Sequence, residues 1–212
     1  MALRSSRAVT FAAASALLFA GTTLGCRVDK HNDGDGKDVK IATPFGGLSV
    51  QTNDATVQQS VGLAVYPGAT LEKKEKGHDS AANVNLNFGD FHLGVKALSY
   101  LTPDSPEKVL AFYQKDLARF GPVLHCRDHK PVGTPTRTPE GLTCSSDDEN
   151  AKVKVSDDDG DSPSDELKAG SRYHQHIVGV HPRANGTKIG LVVLDLPEHL
   201  KLKDNKEPED KQ

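Results

Sequence analysis

Apolar residues recur at every second position in several stretches of this chain, and short turn-forming segments separate those stretches in pairs. Val84, Leu86 and Phe88 alternate with asparagines, Gly89-Asp90 supplies a turn, and Phe91, Leu93, Val95 and Ala97 alternate on the return. A period of two puts all the apolar side chains on one face of an extended strand, so this segment predicts a hairpin with one apolar face. His176–Val180 and Lys188–Leu194 flank a loop containing Asn185-Gly186, and Val39–Ile41 and Leu48–Val50 flank Pro44, Gly46 and Gly47. Both pairs predict further hairpins.

Helical spacing is explicit at Ser105–Phe120. Ser105 is placed to cap free backbone amides with its side chain, and Pro106 lacks the amide that would go unused at the first helical position. Gly121 can adopt the left-handed conformation that ends a helix. Val109, Leu110, Tyr113, Leu117 and Phe120 follow the i, i+3, i+4 rule, with Lys108, Lys115 and Arg119 away from that stripe. The expected fold is α+β, a mainly antiparallel sheet with one amphipathic helix packed on a face, over residues 38–196.

Polar segments surround this unit. Arg27–Lys37, RVDKHNDGDGK, has no apolar period and predicts a flexible tether, so that residues 26–37 join the domain to whatever precedes it. Asp147–Glu166 holds acidic clusters around Val153 and Val155 and predicts an exposed excursion. Residues 197–212 have the composition of a charged, disordered tail.

At the other end Arg4 and Arg7 precede Ala8–Gly25, which carries no charge and leads into Thr23-Leu24-Gly25-Cys26. Basic residues, then an apolar stretch, then a small residue form the order of an export signal spanning residues 1–25. This segment resembles the leader of bacterial lipoproteins. Gly25 matches the small residue that family has before its cysteine; Thr23 stands where the family usually has leucine, and Leu24 falls one place later. The resemblance implies cleavage after Gly25, a thioether-linked diacylglycerol on Cys26 and acylation of the new amino group. A thiolate is the nucleophile such a transfer needs, and two or more acyl chains anchor a protein stably to membrane lipid. Two other readings compete: an ordinary signal peptide cut near Ala20 or Gly25, and a transmembrane helix, for which a stretch of about 20 apolar residues is required. Arg27 follows Cys26 where the inner-membrane retention signal of some Gram-negative lipoproteins has Asp, which implies an outer-membrane anchor facing the periplasm.

With Cys26 lipidated, Cys126 and Cys144 remain. An exported chain meets an oxidising compartment, so an even remainder favours a disulfide across the Pro- and Gly-rich connection between them, two free buried thiols being the alternative. A second resemblance covers Gly62–Phe120. Val65-Tyr66-Pro67-Gly68-Ala69, then strands, then Asp104-Ser105-Pro106-Glu107-Lys108-Val109 and Phe112-Tyr113, looks like a small exported α+β domain found in many bacterial lipoproteins. Those motifs consist of turn and helix-start chemistry and carry no catalytic residue.

Composition narrows the function further. A formal charge of -3, no tryptophan and 5% aromatic residues argue against nucleic acid as a partner. HExxH, GxSxG, GxGxxG and GxxxxGK[ST] are all absent, so no catalytic or cofactor-binding residue is assigned. His174 and His176, two apart on a strand, would leave the same face and could share a metal ion if His125, His181 or the acidic excursion supplied a third ligand. Calcium-loop alignments fail: with Gly160 as the loop glycine, Val155 takes the first ligand position, and with Gly34 the closing glutamate is Lys40. The expectation is a membrane-anchored envelope lipoprotein, not an enzyme, with a binding or structural role. The alternative is an exported enzyme or a metal-binding periplasmic module built on His174 and His176.

Overall fold

The computed structural model describes residues 27–33, 36–72, 80–144 and 164–197. The strands are β1 (Arg27–Asp33), β2 (Gly36–Thr43), β3 (Gly46–Gln51), β4 (Thr70–Leu71), β5 (Ala81–Phe88), β6 (Phe91–Thr102), β7 (Leu124–Arg127), β8 (Lys130–Pro131), β9 (Asp165–Gly170), β10 (His174–Arg183) and β11 (Gly186–Asp195). All belong to one antiparallel sheet in the order β1-β2-β3-β5-β6-β11-β10-β9-β7-β8, with β4 paired to β6. The helices are α1 (Asp54–Val61) and α2 (Pro106–Leu117), the latter continuing as a 3₁₀ turn through Phe120. The expectation of a mainly antiparallel α+β fold holds, but the described residues hold two helices rather than one.

The three expected hairpins form. Val84 faces Val95 and Leu86 faces Leu93, with Gly89 at φ 53° in the turn. Val39 faces Val50 and Ile41 faces Leu48 in the β2–β3 hairpin. In the β10–β11 hairpin Arg183 faces Gly186, so the turn is Ala184-Asn185 and the pairing continues to His174 opposite Asp195. β11 lies between β6 and β10 and is apolar on both faces. Ile189, Leu191 and Val193 pack toward the helices, whereas Val192 and Leu194 join Ile177 on the other face.

The main core lies between sheet and helices. Val109, Tyr113 and Leu117 of α2 and Val57 of α1 are wholly buried against Leu98, Tyr100, Leu167, Val178, Val180 and their neighbours. Leu110 and Phe120, the remaining members of the α2 stripe, are only partly buried at its border. Tyr113 is sequestered so completely that burial raises its phenol above the ordinary tyrosine range, and its hydroxyl donates to the Ala64 carbonyl at 3.1 Å. The Tyr66-Pro67-Gly68-Ala69 motif forms a turn in which Ala69 N–H donates to Tyr66 O and Gly68 takes φ 77°. That turn delivers the Tyr66 hydroxyl to Asp104 at 2.8 Å, tying the start of α2 to the loop before β4. A charge is also buried in the sheet: Lys188 on β11 meets the Glu72 carboxylate at 3.0 Å.

Several expectations need correction. Arg27–Asp33 is not a tether but strand β1, paired with β2 from Arg27 opposite Ala42 to Asp33 opposite Gly36. Backbone pairing requires no apolar side chain, and the register sets Asp29 opposite Lys40 and His31 opposite Asp38, so polar side chains face one another along an edge strand. The acidic excursion stops short of Glu166, because Asp165 and Glu166 open β9 and Asp165 is buried. Residues 147–163 of that segment, the leader with Cys26 and tail residues 198–212 lie outside the described residues. Helix α1 was not expected, although Asn53 caps it, accepting from Thr56 N–H at 3.1 Å, and Gly62 closes it at φ 67°. At α2, Ser105 stands at the cap position with an extended backbone, but its carbonyl, not its side chain, receives the first amides. Its hydroxyl instead engages Glu107, whose carboxyl this bond draws below the usual carboxylate range. Gly121 ends the turn at φ 124°, outside the left-handed helical geometry expected of it.

Candidate functional site

Cys126 on β7 and Cys144 are joined by a disulfide with an S–S distance of 2.00 Å. Both are buried with Leu124 and Leu142 in a small separate core. The loop between them is closed locally by Thr138, whose N–H donates to Leu142 O while its hydroxyl accepts the Leu142 N–H, each at 3.1 Å. The bond thus fixes a loop lacking helix or strand over its final part to the end of the sheet. Beside it lies a small hollow lined by Cys126, Asp128, His129, Ser164 and Glu166.

A charged cluster sits on the same end strands. Asp165 on β9 accepts from Arg127 on β7 through both oxygens, Nε to Oδ1 and a terminal guanidinium nitrogen to Oδ2, each at 3.0 Å, and lies 2.6 Å from His125 Nε2. The ladder explains the grouping, because Arg127 faces Asp165 directly and His125 faces Leu167 two residues along, which puts all three side chains on one face. A fork-to-fork pair of this kind is both strong and rigid.

His174 and His176 do leave the same face of β10, as their spacing predicts, with ring centroids 4.8 Å apart and nearly perpendicular. Their environments then diverge. His174 is half-exposed and its Nδ1 bonds to the Asp195 carboxylate across the β10–β11 hairpin; Lys96 of β6 stands 3.6 Å from the other Asp195 oxygen. His176 is buried, lies flat on the Phe120 ring at 3.6 Å, and has an Nδ1 with no hydrogen-bond partner among the described residues. Burial, reinforced by His174 and Arg119, lowers its pKa to about 4, so the ring is neutral at physiological pH. Among the described residues no group of three or more His, Cys, Asp or Glu side chains is arranged to hold a metal ion. Of the suggested third ligands, His125 is committed to Asp165.

What this arrangement offers chemically is an exposed imidazole oriented by a carboxylate, the geometry of a general base. Ser171, three residues before His174, accepts the His174 backbone N–H at 3.1 Å. Sequence reasoning found the two histidines but neither Asp195 nor Phe120 as their partners, and it missed Asp165 with Arg127. The signal for Asp195 lay in the hairpin register; for Asp165 it lay in the pairing of β7 with β9, strands separated by a long connection. No family model matches the chain, and no curated protein or solved structure matches it either. No helix of the described residues is long and apolar enough to cross a membrane.

Proposed function

We propose that this chain is a bacterial envelope lipoprotein, held to membrane lipid through Cys26 and serving a non-enzymatic binding or structural role. The observation that carries the reading is the Cys126–Cys144 disulfide. A bond of this kind persists in oxidising compartments, which supports export, and it pairs two of the three cysteines. Cys26 is left as the odd thiol, directly after the uncharged Ala8–Gly25 stretch. Arg27 after Cys26 favours the outer membrane, with the domain facing the periplasm. The experiment is metabolic labelling with a radioactive fatty acid in a Gram-negative host. Label on the wild-type chain, lost with unprocessed precursor accumulating in Cys26→Ser, is the expected result; an unlabelled wild-type chain overturns it.

The His174–Asp195 bond favours one second reading, an exported enzyme using His174 as a general base. Loss of a measured hydrolytic activity in His174→Ala, with the unfolding midpoint unchanged, would establish it over the binding role.

A further inference from the structure

Six large apolar side chains are exposed among the described residues, and four of them gather at one end of the sheet: Val28, Phe45, Phe88 and Phe91. Phe45 is the most exposed, at 82%, and stands in the Pro44-Phe45 turn between β2 and β3. Phe88 and Phe91 face each other across the Gly89-Asp90 turn between β5 and β6. The two tips are neighbours, because Gly46 pairs with Phe88. A Cβ on Gly46 would lie 2.6 Å from the Phe88 ring, so glycine there lets the two turns close on each other. Three phenylalanines therefore form one apolar tip.

The chain enters the sheet at the same end. Arg27 pairs with Ala42, three residues before Phe45. Cys26 is covalently next to Arg27, and consecutive Cα atoms are about 3.8 Å apart, so chain connectivity alone keeps Cys26 within about 20 Å of Phe45. Because β1 replaces the expected tether, no length of free chain separates the Cys26 anchor from the domain. An acylated Cys26 would hold this end of the sheet, and no other, at the bilayer surface. The far end lies at the Ala184-Asn185 turn, beyond the twelve residues of β6, about 37 Å of strand.

Resting on the lipoprotein reading above, we propose that the Phe45–Phe88–Phe91 tip docks on the lipid surface that holds Cys26, fixing the orientation of the sheet relative to the membrane. Apolar rings seated in the interface add buried area to the acyl anchor. Asp90 in the β5–β6 turn keeps the insertion shallow, since a carboxylate stays with the headgroups. Arg27 at the same end holds Asp29 at 2.9 Å, so the docking rests on the apolar rings and not on a free cation.

The chain has no tryptophan, so a single introduced one reports its own position. Phe45→Trp, Phe91→Trp and, at the far turn, Ala184→Trp are each purified from membranes as the mature protein. They are then reconstituted into phosphatidylethanolamine–phosphatidylglycerol vesicles containing lipid brominated near the headgroup. Rings about 5–10 Å deep should lose about half or more of their emission at positions 45 and 91, while position 184 is unaffected. Phe45 is so exposed that its replacement leaves the core intact. Equal emission at all three positions with and without bromine overturns the docking. Intact mass of the same samples reports acylation separately: an acylated chain with unquenched tips refutes the docking alone. A chain without acyl groups refutes the anchor, and quenching of its tips would still support a lipid-binding surface.

Discussion

Lowering the pH from 7 to 5 should destabilise this protein through His176. Its pKa is about 4 in the folded chain, whereas an unperturbed histidine titrates near 6.5. Between those values the unfolded chain binds a proton that the folded chain refuses, so acid favours unfolding. The contribution is fully present above about pH 6.5 and is lost as the pH falls toward 4. Linkage over that window gives a loss of about 2 kcal/mol between pH 7 and pH 5 from this one ring. His176 is 6% exposed, and burial is the largest cause of the lowered value. His176→Leu keeps an apolar contact with Phe120 and removes both the titration and the unpartnered Nδ1. Urea unfolding of the two proteins at pH 7 and at pH 5 gives four free energies, and groups common to both cancel in the double difference. The variant should lose about 2 kcal/mol less on acidification than the wild type. Parallel pH dependences, within about 0.5 kcal/mol, would mean that His176 accepts its proton without unfolding, and the reasoning from burial would be refuted.

Leu117 is wholly buried and Lys115 exposed on the same helix, so Leu117→Ala should cost about 2–5 kcal/mol in a denaturant titration and Lys115→Ala less than about 0.5. Breaking the disulfide by Cys126→Ser with Cys144→Ser frees a loop with a sequence separation of 18. Its loss should lower stability by about 3 kcal/mol, and a drop in midpoint under reducing agent for the wild type alone checks the assignment. Asp165→Asn leaves Arg127 and His125 without their shared carboxylate and should cost about 1–3 kcal/mol, whereas the double variant Asp165→Asn with Arg127→Met should recover part of it.

Legibility from sequence followed the source of each element's order. β5 and β6 alternate apolar with polar residues, β11 buries eight consecutive residues on its two faces, and α2 buries a stripe, so each carries the pattern of its own geometry. β1 draws its order from backbone pairing to β2 and from polar side chains facing across the ladder, neither of which leaves an apolar period. It read as a tether for that reason. Helix α1 buries only Val57 and Val61, one turn apart, which is too little to register as a stripe, although Asn53 and Gly62 marked both its ends.

The site shows the same division more sharply. That His174 and His176 share a face follows from a spacing of two, a local property. Their partners depend on register, and register turns on a single residue of the β10–β11 turn. The observed Ala184-Asn185 turn sets His174 opposite Asp195. A two-residue turn one position later, at Asn185-Gly186, would set His174 opposite Pro197, which offers no carboxylate and no amide. That slip would also carry Val178 and Val180 opposite different residues of β11 and disturb the core on both faces. Apolar packing of the strand therefore holds His174 against Asp195, and the same packing brings His176 beneath Phe120 at the end of α2. The polar contact is a consequence of where the hydrophobic residues must go, which is why it could be found only once the hairpin was in register.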